Sequence, residues 1–276
     1  MRTHILQEAW KCSGRQRGGA SGRACRGTVA RCGRLLGLPL CATITFVTKT
    51  ILLDMDGVLV DNNAFEPVVA NYIVSRIAKM MDVKRIQAQI MWEAELRKTS
   101  GHSRWYDYDF HCRNLGLPPL AESAHRNARA FLRTVPGSLE TVEWLLKHGV
   151  VPVIATDASL WVARFKLASL GLSFPFQILT SRDGHPKQTR SYWESHAERL
   201  HRIKPIAFVD NRKSNLMAAM AGTEIRLFAH LAIDEHVMKR EDVACLESRQ
   251  GTDARLVSVE THSELLNVLK IRLSSA

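Results

Sequence analysis

Acids are almost missing from the first fifty residues, where Glu8 alone faces nine Lys/Arg, and this shortage accounts for +8 of the net charge of +11. Residues 51–276 carry only +3. A nucleic-acid groove needs Lys/Arg and aromatics spread over a folded surface, so no nucleic acid is expected on the body of the protein. Cysteine pairs are missing too. No Cys-x-x-Cys occurs, four of the six cysteines (Cys12, Cys25, Cys32, Cys41) sit in the basic segment, and Cys112 and Cys245 stand apart. That excludes a zinc ribbon and a disulfide framework and points to a reducing, cytoplasmic setting. Long apolar runs are also lacking. The 13 residues from Leu35 to Val47 are mostly apolar but contain Pro39 and are too short to span a bilayer, so no membrane association is expected.

The segment 1–46, with Gly18-Gly19, Gly22, Gly27 and Gly33 and little periodicity, reads as a disordered basic extension. The composition changes sharply at Val47, which a GTG start codon would explain; on that expectation residues 1–46 are not native. An organellar transit peptide and an RNA-binding arm are the alternatives.

From residue 49 onward strand and helix signals alternate, which predicts an α/β fold of the Rossmann-like, doubly wound kind, a parallel sheet covered on both faces. Lys49–Asp54, Val150–Ala155, Phe176–Thr180, Pro205–Val209 and Glu224–Ala229 are expected strands, with Leu256–Val259 a last one. Helices are expected after Pro136-Gly137, with Ser138 as N-cap, at 160–170, 188–200 and 213–221, and at 262–273 behind a Thr261 or Ser263 cap. Residues 231–254 are poorly periodic. Between the first two strands lie some 70 residues without a strand signal, too many for a simple crossover. Val69, Ile73, Ile77 and Met81 recur every four residues, and Trp105, Tyr108, Cys112 and Leu115 every three or four, so 64–135 is expected to be an inserted helical bundle. The core is then 47–63 with 136–276. The insertion holds 11 Lys/Arg against 7 Asp/Glu, which suits an anionic substrate or a solvated face. Thr99–Arg104 is either a substrate-reading loop or a plain connector.

Asp54-Met55-Asp56-Gly57 follows the apolar run Thr50–Leu53. Side chains alternate along a strand, so the two carboxylates point the same way, which is costly unless a cation lies between them. Taken alone, Asp-x-Asp-Gly reads equally as a strand ending in an Asx turn. The other predicted strand ends add context: Thr156-Asp157, Asp210-Asn211, and Lys187 in the loop after the third strand. In an open parallel sheet ligands gather at the carboxyl ends of strands. This set suits phosphoryl transfer. Asp54 is the expected nucleophile and Asp56 the acid/base, while Thr156 and Lys187 hold the phosphate. Oxygen ligands from Asp54, the Asp56 carbonyl and Asp210 suit Mg²⁺, with Asn211 behind them on a metal-bound water. Asp157 reads as the N-cap of the next helix, and His185 and His230 as surface groups.

Ile51–Asp61 resembles the first motif of the haloacid dehalogenase superfamily, Val153–Thr156 its second, Pro186-Lys187 with Tyr192-Trp193-Glu194 its third, and Phe208–Asn211 with Asn215 and Ala218-Ala219 its fourth. The insertion is similar to that family's C1-type cap. The third motif departs from the usual Lys-Pro order, and Asn211 stands where a second Asp is usual. The resemblance implies a Mg²⁺-dependent, phosphoglycolate-phosphatase-like hydrolase that frees phosphate from a small phosphorylated metabolite through an aspartyl-phosphate. A phosphomutase of the same fold and an inactive binding protein are the alternatives. Nothing in the sequence sets an oligomeric state.

Overall fold

The computed structural model describes residues 49–172, 176–181, 184–232 and 254–274. The chain divides into Met1–Thr45 and Phe46–Ala276, and every described residue belongs to the second unit. The expected basic extension, Cys245 and most of the poorly periodic stretch 231–254 lie outside the described residues.

Strand β1 (Lys49–Leu53) is buried on both faces, as its unbroken Ile-Leu-Leu run requires. It pairs in parallel with β4 (Val150–Thr156) on one side and β6 (Pro205–Asp210) on the other. With β5 (Gln177–Thr180), β7 (Leu227–Leu231) and β8 (Leu256–Val259) the order is β5-β4-β1-β6-β7-β8, all parallel. The chain runs outward from β1 through β4 and β5, then returns to β6 and runs the other way. The reversal at β1/β6 opens a crevice at the carboxyl end of the sheet.

A second, two-stranded antiparallel pair, β2 (Val60–Asp61) with β3 (Arg133–Thr134), fastens both ends of the helical insertion. Between them come α1 (Phe65–Met81), α2 (Arg85–Arg97), a 3₁₀ turn (Ser103–Tyr106), α3 (Tyr108–Asn114) and α4 (Ala121–Ala128). The four-residue spacing read from the sequence has its cause here: Val69, Ile73 and Ile77 are fully buried. Then follow α5 (Ser138–Lys147), α6 (Leu160–Ser169), α7 (Arg190–Ser195), α8 (Ala197–Ile203), α9 (Lys213–Gly222) and α10 (His262–Ser274).

Three local expectations are corrected. The N-cap of α5 is Gly137, at φ +81°, not Ser138, whose hydroxyl instead donates to the Leu59 carbonyl at 3.3 Å. A Cβ at 137 would come within 2.7 Å of the His262 Cβ, so only glycine fits both the left-handed backbone and the close approach. The helix expected over 188–200 is two helices broken at His196, whose ring Nε2 meets the Thr180 carbonyl at 2.9 Å. The fifth expected strand lies later, at Leu227–Leu231. Thr261 does cap α10, accepting from the Glu264 amide at 3.2 Å.

On one sheet face Trp193, Tyr192, Phe208 and Phe228 form a dense aromatic layer, each fully buried. Burying such a side chain is worth about 1.5–3 kcal/mol. This layer anchors the loop that carries Lys187.

Candidate active site

The turn after β1 starts the site. Asp54 is 5% exposed and its backbone amide still donates to the Val209 carbonyl at 2.8 Å, so the carboxylate is held in register with the end of β6. Its Oδ1 accepts from the Met55 amide at 2.7 Å and from Lys187 Nζ at 2.5 Å. Gly57, at φ +85°, turns the chain away, and a Cβ there would collide with the Asn211 amide. The chain then returns through the Asp56–Val60 bridge into β2.

Lys187 is buried and reaches the floor of the crevice, donating to Asp210 Oδ2 at 2.9 Å and to the Ala155 carbonyl at 3.1 Å. Its loop is held from below by Trp193, whose Nε1–H donates to the Lys187 carbonyl at 2.9 Å. Asp157 holds the loop from the side, its Oδ1 accepting from the Lys187 amide at 2.8 Å and from Ser181 Oγ at 2.6 Å. Asp157 is therefore not the N-cap of α6. Ser159 fills that role, accepting from the Val162 amide at 3.3 Å. Thr156, 1% exposed, accepts from the Ala158 amide through Oγ1 at 3.1 Å, which leaves its O–H free to donate.

Asp210 is fully buried. Asn215 Nδ2 donates to both of its oxygens, at 3.1 and 3.0 Å, and the Arg212 amide donates to Oδ1 at 2.8 Å. Asp54 and Asp210 thus share one ammonium in a buried site. Burial first, and then Asp210, push the Asp54 carboxyl from 3.8 up to about 8, against the opposing pull of Lys187. For Lys187 burial works downward, but Asp210 and Asp54 outweigh it and raise the ammonium above its ordinary range. Two carboxylates with one cation leave room for a further positive charge.

The donor set fits a hard cation. Only oxygen is on offer, and Asn211 Oδ1 is buried with no hydrogen-bond partner. Among the described residues no group of three or more His, Cys, Asp and Glu side chains is arranged to hold a metal. A cation here would rest on the Asp54 and Asp210 carboxylates, completed by main-chain and amide oxygens. His230, expected on the surface, is buried at 2% exposure: its Nδ1 meets Ser258 Oγ at 3.1 Å and its Nε2 meets the Asn211 carbonyl at 3.2 Å. It fixes the backbone of Asn211. His185 is half-buried in the loop before Lys187.

Above these groups lies a cavity of about 340 Å³ lined by Asp54, Asp56, Thr156, Lys187 and Asn215. The expected phosphate-handling residues therefore meet in one place. The insertion closes the other side with Trp105, Tyr106, Tyr108 and His125. Thr99–Arg104 does not line the cavity; the two residues that follow it do. Arg212 reaches across from the core to the Tyr106 hydroxyl at 3.3 Å.

Sequence reasoning missed Lys166. This lysine lies on the buried stripe of α6 with Val162, Ala163 and Leu167, and a lysine on an otherwise apolar helix face was the signal available. Its Nζ donates to Asp56 Oδ1 at 3.0 Å, Asn62 Oδ1 at 3.1 Å and Glu66 Oε1 at 2.9 Å. Burial works against the charge, but Asp56 and Glu66 outweigh it and hold the ammonium's pKa above its ordinary value.

The family model for haloacid dehalogenase-like hydrolases matches residues 48–222. The GMP/IMP nucleotidase YrfG of Escherichia coli (strain K12) is 28% identical over 180 residues, spanning 62% of this chain and 77% of that one. Among solved structures, a HAD phosphatase from Thermococcus onnurineus superposes with a TM-score of 0.63 at 18% identity, covering 80% of this chain and 97% of the other. The haloacid dehalogenase-like protein SP0104 from Streptococcus pneumoniae gives 0.51 at 14% identity, with 81% and 99% covered. At these identities the two structures speak to the fold.

Proposed function

The chain belongs to the haloacid dehalogenase-like hydrolase family, and from that premise we propose that it is a Mg²⁺-dependent phosphomonoesterase acting through an aspartyl-phosphate on Asp54. The observation that carries this reading is the meeting of Asp54, Asp56, Thr156 and Lys187 in one cavity.

Asp54 Oδ1 is occupied by the Met55 amide and Lys187, while Oδ2 has no hydrogen bond among the described residues. That second oxygen attacks phosphorus. Thr156 donates its hydroxyl to a phosphoryl oxygen, and Lys187 offsets the dianion's charge. Asp56 gives its proton to the leaving alkoxide, then takes one from the water that opens the aspartyl-phosphate, returning Asp54 as carboxylate. Asp54, the Asp56 carbonyl and Asp210 would hold Mg²⁺, with Asn211 Oδ1 accepting from a water beside it. The metal, when bound, supplies charge neutralisation that lets an anionic nucleophile approach an anionic ester. The helical insertion serves as the cap that keeps bulk water out of the first step.

For the substrate, the aromatic wall of Trp105, Tyr106 and Tyr108 over a cavity of about 340 Å³ supports a planar group stacked beyond the phosphate. The GMP/IMP nucleotidase relative supports the same choice. Nucleoside 5′-monophosphates are therefore the proposed substrates, in preference to a sugar phosphate or phosphoglycolate. The test is phosphate release by the full chain with Mg²⁺ over a panel of these esters. Nucleoside monophosphates are expected to lead in kcat/KM by about tenfold or more, an amount that one good contact supplies. A lead for phosphoglycolate would overturn the substrate class, and activity indifferent to EDTA would overturn the metal.

A further inference from the structure

Lys187 and Lys166 are both buried ammonium groups at the cavity, yet their surroundings assign them different work. Lys187 lies beside the nucleophile. Lys166 comes from α6 on the other side, and each of its three N–H bonds has an acceptor: Asp56 at 3.0 Å, Asn62 at 3.1 Å and Glu66 at 2.9 Å. An ammonium has only three hydrogens, so none is left for a phosphoryl oxygen. The Phe65 ring, centred 5.1 Å from Nζ, covers a further side.

The three acceptors come from separate segments. Asp56 belongs to the turn after β1, Asn62 to the link that follows β2, and Glu66 to the first turn of α1 in the insertion. The other Glu66 oxygen accepts from the Tyr108 hydroxyl at 2.9 Å, which carries the chain of contacts into the aromatic wall. Asp56 Oδ1 is taken by Lys166, whereas Oδ2 has no hydrogen bond among the described residues, and the residue lines the cavity. A carboxylate on a short side chain is poorly fixed by its backbone alone. One occupied oxygen sets its rotation and directs the other.

We propose that Lys166 is a positioning residue for proton transfer: it holds Asp56 by Oδ1 so that Oδ2 meets the bridging ester oxygen, and through Glu66 it ties this alignment to the docked helical insertion. This rests on the reading of Asp56 as the group that protonates the leaving alkoxide.

The test compares two leaving groups. A nucleoside 5′-monophosphate departs as an alkoxide and needs a proton, whereas 2,4-dinitrophenyl phosphate departs as a stable phenolate and does not. Lys166→Met is expected to lower kcat/KM for the first by about 100-fold, within the range that a positioned acid contributes, and for the second by less than about fivefold. KM for the nucleotide should hardly move. If the single variant does not fold, Lys166→Met combined with Glu66→Gln removes the second carboxylate left unpaired, and the same ratio is read from it. Equal losses on both esters, or a rise in KM alone, overturn the proposal while leaving the phosphatase reading intact. A wild-type protein that cleaves neither ester overturns that reading, and the proposal with it.

Discussion

Lys187→Met removes the one ammonium shared by Asp54 and Asp210 while keeping a side chain of similar length. Asp210 is fully buried and Asp54, though it lines the cavity, is only 5% exposed, so water replaces the lost contacts at 2.5 and 2.9 Å poorly. Removing one partner of a buried ion pair costs about 3–5 kcal/mol. Equilibrium urea unfolding in EDTA at pH 8 should show a loss of this size. The sign of its pH dependence follows from Asp54. Its carboxyl already lies near 8 in the folded protein against 3.8 ordinarily, and losing Lys187, which pulls it down, moves it higher still. The folded variant then binds a proton that the unfolded chain releases, so its stability falls as pH rises from about 4 through the folded pKa. With both folded-state values at about 8 or above, the deficit relative to the wild type should stay nearly level from pH 5 to 8 and grow only above about pH 8, where the wild type releases its proton before the variant does, and Mg²⁺ should recover part of it. A loss below about 1 kcal/mol at pH 8, or a deficit that shrinks as pH rises above 8, would refute the claim that Lys187 neutralises two buried carboxylates.

Three more outcomes follow from the same geometry. Because burial and Asp210 push the Asp54 carboxyl up to about 8, Mg²⁺ must compete with a proton there, and its affinity measured by calorimetry should weaken by up to about tenfold per unit as pH falls from 8 to 6; a pH-independent affinity would show that the metal does not use this carboxylate. Gly57→Ala places a methyl group against Asn211 at φ +85°, costing about 1–2 kcal/mol in a melt and raising the Mg²⁺ concentration for half activity, and a variant with wild-type metal dependence would separate Asn211 from the metal. Trp193→Phe keeps an aromatic ring but deletes the N–H bonded to the Lys187 carbonyl together with part of a fully buried indole, so the unmet acceptor costs about 1–3 kcal/mol and the cavity adds to it; a change in Tm without loss of kcat would mean that Trp193 supports the fold but does not place Lys187.

The sheet was legible because its strands are unbroken apolar runs, and the cavity floor because Asp54, Thr156 and Asp210 end those runs. The helical insertion was legible as a stripe of Val69, Ile73 and Ile77. Other features were not, and for identifiable reasons. Ser138 has the chemistry of a cap, but Gly137 takes the position because His262, 125 residues later in the chain, leaves no room for a side chain. Asp157 also has cap chemistry, yet it is drawn off by the Lys187 amide 30 residues away. His230 looked like a surface group because its two partners, Ser258 and the Asn211 carbonyl, come from distant segments. Lys166 was obscured by the same property that makes it informative: its acceptors are about 100 residues away in sequence. Local rules find elements and their ends. Partners brought together by the sheet order are outside their reach.

The central claim is that Asp54 carries the phosphoryl group between substrate and water. Rapid acid quench of the full chain during turnover of a nucleoside 5′-monophosphate with Mg²⁺, followed by peptide mass spectrometry, tests it directly. The peptide containing Asp54 should gain the mass of one phosphoryl group, in an amount that rises and then decays as substrate is consumed, and Asp54→Asn should abolish both the adduct and phosphate release. Sustained phosphate release by Asp54→Asn, or label on any other residue, would contradict the account.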